Sequence, residues 1–165
     1  MKAGIISDTH DNTINVSKVI DIFSRHKVSY IFHAGDITLP LTAGAFSNIA
    51  GAKFISVFGN CDIHKNELKE KIESFGGQIG SFYTGQINGK RIFMTHTLNN
   101  LPEQAKSGKY DIIIYGHTHK PDIRRIGSTL IINPGKAGGN EESCVVIMDF
   151  DRVTCKTINL NNKQA

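Results

Sequence analysis

Cysteine is scarce in this sequence: Cys61, Cys144 and Cys155 are the three in 165 residues, and no two form a C-x-x-C pair. An odd number of unpaired thiols argues against a disulfide framework and suits a reducing compartment. No apolar run approaches the about 18 residues of a membrane helix, so nothing is expected to span a bilayer. The chain opens on Met1-Lys2-Ala3-Gly4-Ile5-Ile6-Ser7, which reads as a strand and lacks the long apolar stretch and cleavage site of a secretory leader. A cytoplasmic protein is expected. With 39% hydrophobic and 21% charged residues and no polar or charged tract, the composition is that of a globular chain and not a disordered one. No linker, repeat or low-complexity segment divides it, so residues 1–165 are read as one domain, long enough to bury a core without a disulfide or structural metal. The net charge of +4 comes from scattered Lys and Arg, with a local cluster only at Lys120, Arg124 and Arg125. That excess helps to attract a phosphate-bearing substrate and does not by itself indicate nucleic acid.

What is present is a repeated unit of apolar strand, polar turn and helix. Residues 2–7 form the first strand and stop at Ser7-Asp8-Thr9-His10-Asp11; Val16, Val19, Ile20 and Phe23 then recur at helical spacing, with Asp11, Asn12 or Thr13 available to cap. Val28–Phe32 is a second strand ending in His33-Ala34-Gly35-Asp36, followed by a short helix around Leu41–Ala50. Lys53–Phe58 is a third, ending in Gly59-Asn60-Cys61-Asp62, before an amphipathic helix over Glu67–Phe75 closed by Gly76-Gly77. Successive units of this kind predict parallel strands joined by right-handed crossovers, with ligands gathering beyond the carboxyl ends of the strands. Asp8, His10, Asp36 and Asn60 fall there.

The second half is richer in strands. Phe82–Ile87, the turn pair Asn88-Gly89 and Lys90–Met94 read as a hairpin running into His96. After a short helix near Pro102–Ser107 comes Asp111-Ile112-Ile113-Ile114-Tyr115-Gly116-His117-Thr118-His119, a buried strand, a glycine that permits a sharp turn, and two imidazoles beyond it. Further strands are expected at Ile123–Ile126, Leu130–Ile132, Cys144–Phe150 and Val153–Leu160. The class is therefore α/β, with a second sheet packed on the first.

Singly, a strand-end aspartate is more often a helix cap and a lone histidine more often structural. Together, Asp8, His10, Asp36, Asn60, His96, His117 and His119 supply carboxylate, amide oxygen and imidazole without thiolate, a donor set suited to Mn²⁺, Fe²⁺, Ni²⁺ or Zn²⁺. Seven ligands exceed what one ion takes from a protein, and two ions about 3.5–4 Å apart, bridged by one carboxylate, account for them.

The motifs D-T-H, G-D, G-N-C-D, T-H and G-H-T-H, in this order at strand ends, resemble those of the calcineurin-like metallophosphoesterases. The short chain, the G-N-C-D variant and the run from Tyr115–His119 to Ile131-Ile132-Asn133-Pro134-Gly135 are most similar to the small prokaryotic phosphodiesterase branch. The resemblance implies a two-sheet αββα sandwich, with Asp8, His10, Asp36 and His119 on one ion, Asp36, Asn60, His96 and His117 on the other, and Asp36 as the bridge. It also implies a homo-oligomer. Two divalent ions, expected to be Mn²⁺ with Ni²⁺, Fe²⁺ or Zn²⁺ as alternatives, would outweigh Asp8, Asp36 and a bridging hydroxide by about one charge, which attracts a phosphate anion. The metals lower the pKa of bound water, and the hydroxide attacks phosphorus in line with the leaving alkoxide. The expected activity is hydrolysis of a small phosphodiester.

Two departures point to modest activity. Cys61 stands where many relatives carry a histidine, and the family's H-G-H is here His96-Thr97-Leu98. Losing a general acid or a charge-stabilising contact costs about 10²–10⁴ in rate. His64 is a candidate replacement on spacing alone, and Asp62 is read as orienting a ligand histidine or capping the next helix. The competing class is a non-catalytic interaction scaffold, because the fold also resembles a eukaryotic vesicle-sorting subunit; the intact donor set argues against it.

Overall fold

A computed structural model describes residues 1–140 and 142–161. Its first half follows the strand-turn-helix pattern: β1 (Lys2–Ile6), α1 (Thr13–His26), β2 (Tyr30–His33), α2 (Pro40–Ala45) with a 3₁₀ turn over Phe46–Asn48, β3 (Lys53–Val57), α3 (Lys65–Ser74) and β4 (Gln78–Gly80). The second half holds β5 (Phe82–Ile87), β6 (Lys90–Thr95), α4 (Leu101–Lys106), β7 (Ile112–Ile114), β8 (Pro121–Ile126), β9 (Thr129–Pro134), β10 (Cys144–Asp149) and β11 (Thr154–Asn159). The caps are local. Asn12 accepts the Asn15 N–H at the start of α1, and beyond α3 the N–H groups of Gly76 and Gly77 return to Glu73 and Ile72.

Two sheets result. One has six strands in the order β11-β10-β1-β2-β3-β4, the other five in the order β5-β6-β7-β9-β8. The strands β1 to β4 run parallel, as the crossovers require, and β5 and β6 pair antiparallel as a hairpin. Period-two alternation fixes the layers. In β10, Val145 and Ile147 face α1 and its neighbours, whereas Val146 and Met148 face the other sheet. In β7, Ile112 and Ile114 enter the core between the sheets and Ile113 packs with Ala105 of α4. Helices α1 to α3 thus cover one outer face and α4 the other, giving the αββα sandwich.

Two features depart from the sequence reading. The last hairpin, β10 and β11, belongs to the first sheet, where β10 lies antiparallel to β1; burial of both its faces decides this, because Val145 and Ile147 have helices to cover while Val146 and Met148 fill the inter-sheet core. The three-residue β4 is too short to show a pattern of its own. Among the described residues no helix is long and apolar enough to cross a membrane.

Candidate metal centre

The carboxyl ends of β1, β2, β3, β6 and β7 lie along one edge, and the loops leaving them carry all seven candidate residues. Those loops are strained. Asp8, His10, Asp36, His117 and His119 all have positive φ, between 41° and 66°, a region that costs non-glycine residues about 1–3 kcal/mol each and clusters at functional sites. The strain is offset by backbone bonds: Asp8 N–H to Gly35 O at 2.9 Å, His10 N–H to Asp36 O at 3.1 Å, and Gly116 N–H to His96 O at 3.0 Å. Glycines permit the close approach. A Cβ on Gly59 would lie 2.0 Å from Asp36 Oδ1, and one on Gly116 2.1 Å from Ser7 Oγ.

The side chains form two linked groups. In the first, Asp8 Oδ1 is 3.2 Å from His119 Nε2 and 3.9 Å from His10 Nε2, and the two imidazole nitrogens are 3.5 Å apart. In the second, Asn60 Oδ1 is 3.0 Å from His96 Nε2 and 2.9 Å from His117 Nδ1. Asp36 joins them, with Oδ2 at 3.4 Å from His96 Nε2 and 3.8 Å from His10 Nε2. The structure therefore brings all seven together.

Hydrogen bonds orient these donors. Ser7 Oγ and the His117 N–H donate to Asp8 Oδ2 at 2.5 and 3.2 Å, leaving the buried Asp8 Oδ1 with no hydrogen bond among the described residues. His96 Nδ1 lies 2.7 Å from Ala34 O; a carbonyl can only accept, so this nitrogen holds the proton and Nε2 is turned toward Asp36 and Asn60. Burial alone would raise the Asp36 carboxyl, but His96 and the Cys61 N–H hold it well below the usual carboxylate range. Burial likewise opposes charge on His96, and Asp36 more than compensates, raising its pKa above the ordinary imidazole value. Positive charge beside Asp36 is therefore favoured. An unpartnered buried carboxylate oxygen and a thiolate-free donor set converging on it fit divalent metal ions.

Asp62 has a different task from either one expected. Its Oδ2 accepts the Asp36 and Gly59 N–H groups at 3.0 and 2.6 Å and its Oδ1 that of Thr38 at 2.7 Å. It ties two of the loops that carry candidate donors together, bonds to no histidine among the described residues, and leaves α3 without a side-chain cap. His64 stands before α3, half exposed, with Nδ1 3.9 Å from Glu67. Cys61 is a half-exposed rim residue whose sulfur lies within 4.8 Å of ligand atoms of His10 and Asp36. Leu98 departs from its expected place: it packs in the apolar cluster of Ala105, Ile113, Tyr115 and Ile131, on the α4 face of the second sheet.

Sequence reasoning gave no supporting role to the groups that hold these donors. Ser7 holds Asp8, and Asn133 Nδ2 donates to Gly116 O and Thr118 Oγ1, both at 3.0 Å, fixing the turn that presents His117 and His119. Fully buried His33 accepts the Gly35 N–H on Nδ1 at 3.2 Å and meets Thr9 Oγ1 with Nε2 at 3.1 Å. Burial lowers its pKa to about 3. The consequence for stability has a definite sign. His33 stays neutral in the folded chain while the unfolded chain takes up a proton below about pH 6.5, so stability is complete above that value and is lost as pH falls toward 3. His33→Gln is expected to flatten this part of the profile, by up to about 1.4 kcal/mol per pH unit, measured as urea midpoints between pH 7 and pH 4.5.

The chain belongs to the calcineurin-like phosphoesterase superfamily, whose domain model matches residues 1–152. Among its relatives is Phosphodiesterase MJ0936 of Methanocaldococcus jannaschii, 36% identical over 143 residues that make up 84% of this chain and 86% of the relative. The solved structure of an archaeal phosphodiesterase superposes with a TM-score of 0.91 at 33% identity, covering 96% of this chain and 99% of that one. Vps29 of Entamoeba histolytica, solved with Zn²⁺, has a TM-score of 0.70 at 16% identity over 98% of this chain and 100% of its own, and shares the fold.

Proposed function

We propose that this protein is a metal-dependent phosphodiesterase in which Asp8, His10, Asp36 and His119 hold one divalent ion and Asp36, Asn60, His96 and His117 the second. The observation that carries the reading is Asp8 Oδ1, buried, without a hydrogen-bond donor among the described residues, and aimed at the imidazoles of His10 and His119. When bound, the metals activate the attacking water and neutralise charge on the phosphoryl oxygens.

The chain's own residues supply the geometry. Asp36, shared by the two groups, sets their separation; Ser7, Asp62 and Asn133 hold the loops; Ala34 O fixes the His96 tautomer, so that Nε2 is the ligand atom. Oxygen and imidazole donors without thiolate favour Mn²⁺, with Ni²⁺, Fe²⁺ and Zn²⁺ as competitors. No arginine stands among these donors to neutralise the second charge of a monoester, so the substrate is a small diester. The free thiols accord with a cytoplasmic setting. Elemental analysis combined with hydrolysis of bis(p-nitrophenyl) phosphate tests the reading: about two metals per chain and turnover that rises with added Mn²⁺ are expected. Two retained metals without turnover of any diester would favour the scaffold.

A further inference from the structure

Ile14, Leu39, Leu41 and Ile63 are large apolar side chains exposed at 71%, 44%, 79% and 76%. Scattered exposed leucines mean little, but Leu39 and Ile63 stand on the loops that carry Asp36 and Cys61, and Ile14 and Leu41 in the first turns of α1 and α2, which those of His10 and Asp36 lead into. The loops are braced into one rim. Asp11 Oδ1 accepts the Leu39 N–H at 3.0 Å and the Thr42 hydroxyl at 2.6 Å, and Asp62 accepts N–H groups from Asp36 and Thr38. From Thr13 and Thr42, next to this bracing, a groove of about 440 Å³ runs between α1 and α2, lined by Val16, Ile20, Leu41 and Ala45. The loops of the second sheet that carry His96, His117 and His119 present exposed Thr97, Asn99, Thr118 and Lys120. The first-sheet connections around the candidate donors thus carry exposed apolar side chains, and those of the second sheet exposed polar ones.

We infer that the site takes asymmetric phosphodiesters, with one apolar alkyl or acyl chain lying over Ile14, Leu39, Leu41 and Ile63. This inference rests on the phosphodiesterase reading and adds the substrate class to it. The continuity of the apolar rim with the metal-bearing loops favours a chain attached to the phosphate itself over a separate partner. Two different sets of exposed side chains suit two different ester groups, whereas a second copy of the chain would bring one surface to both.

The test uses the Mn²⁺-loaded protein and p-nitrophenyl esters of methyl, butyl and octyl phosphate at submicellar concentration. Hydrolysis joins the water oxygen to phosphorus, breaks the aryl P–O bond, and releases p-nitrophenolate and the alkyl monoester. From methyl to octyl, kcat/KM is expected to rise about thirty-fold or more, because each methylene removed from water is worth up to about four-fold. In Leu41→Ser/Ile63→Ser the octyl-to-methyl ratio should fall toward one. Calorimetry of octyl methylphosphonate with the metal-free chain gives a readout independent of turnover: binding with a negative heat-capacity change, weakened in the double variant, is expected. A flat ester series with no such binding overturns the inference while leaving the phosphodiesterase reading intact. Binding without hydrolysis of any ester overturns that reading and keeps the apolar subsite. A wild-type dimer that the double variant dissociates, with an unchanged ester series, assigns the rim to self-association and overturns the proposal.

Discussion

Asp36→Ala is expected to abolish diester hydrolysis, a fall of at least about 10³-fold, and to lower the metal content of the purified chain. Its Oδ2 lies between the two groups of donors, at 3.4 Å from His96 Nε2 and 3.8 Å from His10 Nε2, so both groups lose a ligand together. Asp8→Ala is expected to behave differently. Asp8 Oδ1 is 3.2 and 3.9 Å from His119 and His10 and approaches His96 only within 4.8 Å, so the Asn60, His96 and His117 side should keep part of its metal. Because Asp36 Oδ1 also accepts the Cys61 N–H at 2.8 Å, alanine risks loosening the neighbouring loop. Asp36→Asn retains an acceptor there while removing the charge, and it should lose activity to a similar degree. Inductively coupled plasma analysis of the three variants beside the wild type decides the point; equal metal loss in the Asp8 and Asp36 variants would remove the bridging assignment.

The seven donors were legible in the sequence because each occupies the first polar residues after a run of apolar ones, where parallel strands end. Their convergence follows from topology: β1, β2 and β3 are parallel neighbours in one sheet and β6 and β7 in the other. The supporting groups were hidden for a physical reason. Ser7 and His33 lie at or next to strand ends, where a hydroxyl or imidazole reads as part of a turn, and only the folded chain shows them buried and bonded across sequence gaps of 27 and 24 residues. Asp62 was misread for the same reason, because its partners Asp36 and Thr38 are 26 and 24 residues away. The placement of β10 and β11 was likewise illegible. A strand apolar on both faces is compatible with either sheet, and pairing with β1 is decided by which helices remain to be covered.

Leu98 shows the limit of spacing arguments most plainly. Two residues beyond His96, it was expected beside the metal site, yet the chain bends at His96 and Thr97 and the side chain joins the apolar cluster under α4. A histidine at 98 would meet Ala105 and Ile131 before it met a substrate. Of the two departures from the family pattern, only the one at Cys61 is therefore placed where a single substitution can restore chemistry.

Cys61→His is expected to raise kcat on aryl diesters about ten-fold or more, equivalent to about 1.4 kcal/mol in the barrier. The thiol is a poor substitute for an imidazolium as it stands, and burial and the neighbouring Asp36 carboxylate push its pKa up. The position itself is suitable. Its backbone N–H is anchored on Asp36 Oδ1, its neighbour Asn60 turns Oδ1 toward His96 Nε2 and His117 Nδ1, and its half-exposed sulfur already reaches within 4.8 Å of donor atoms of His10 and Asp36. An imidazole there projects over the site, where it can donate a proton to the leaving oxygen or steady the charge on the phosphoryl group. KM should change less than kcat, since the new contact is made chiefly in the transition state. Steady-state kinetics at matched Mn²⁺ loading provide the check, with Cys61→Ala as the control for simple removal of the thiol. If the histidine variant holds two metals per chain and is no faster than the alanine variant, the missing imidazole is not what limits this chain, and a search for another proton donor must begin from the exposed polar residues Thr97, Thr118 and Lys120.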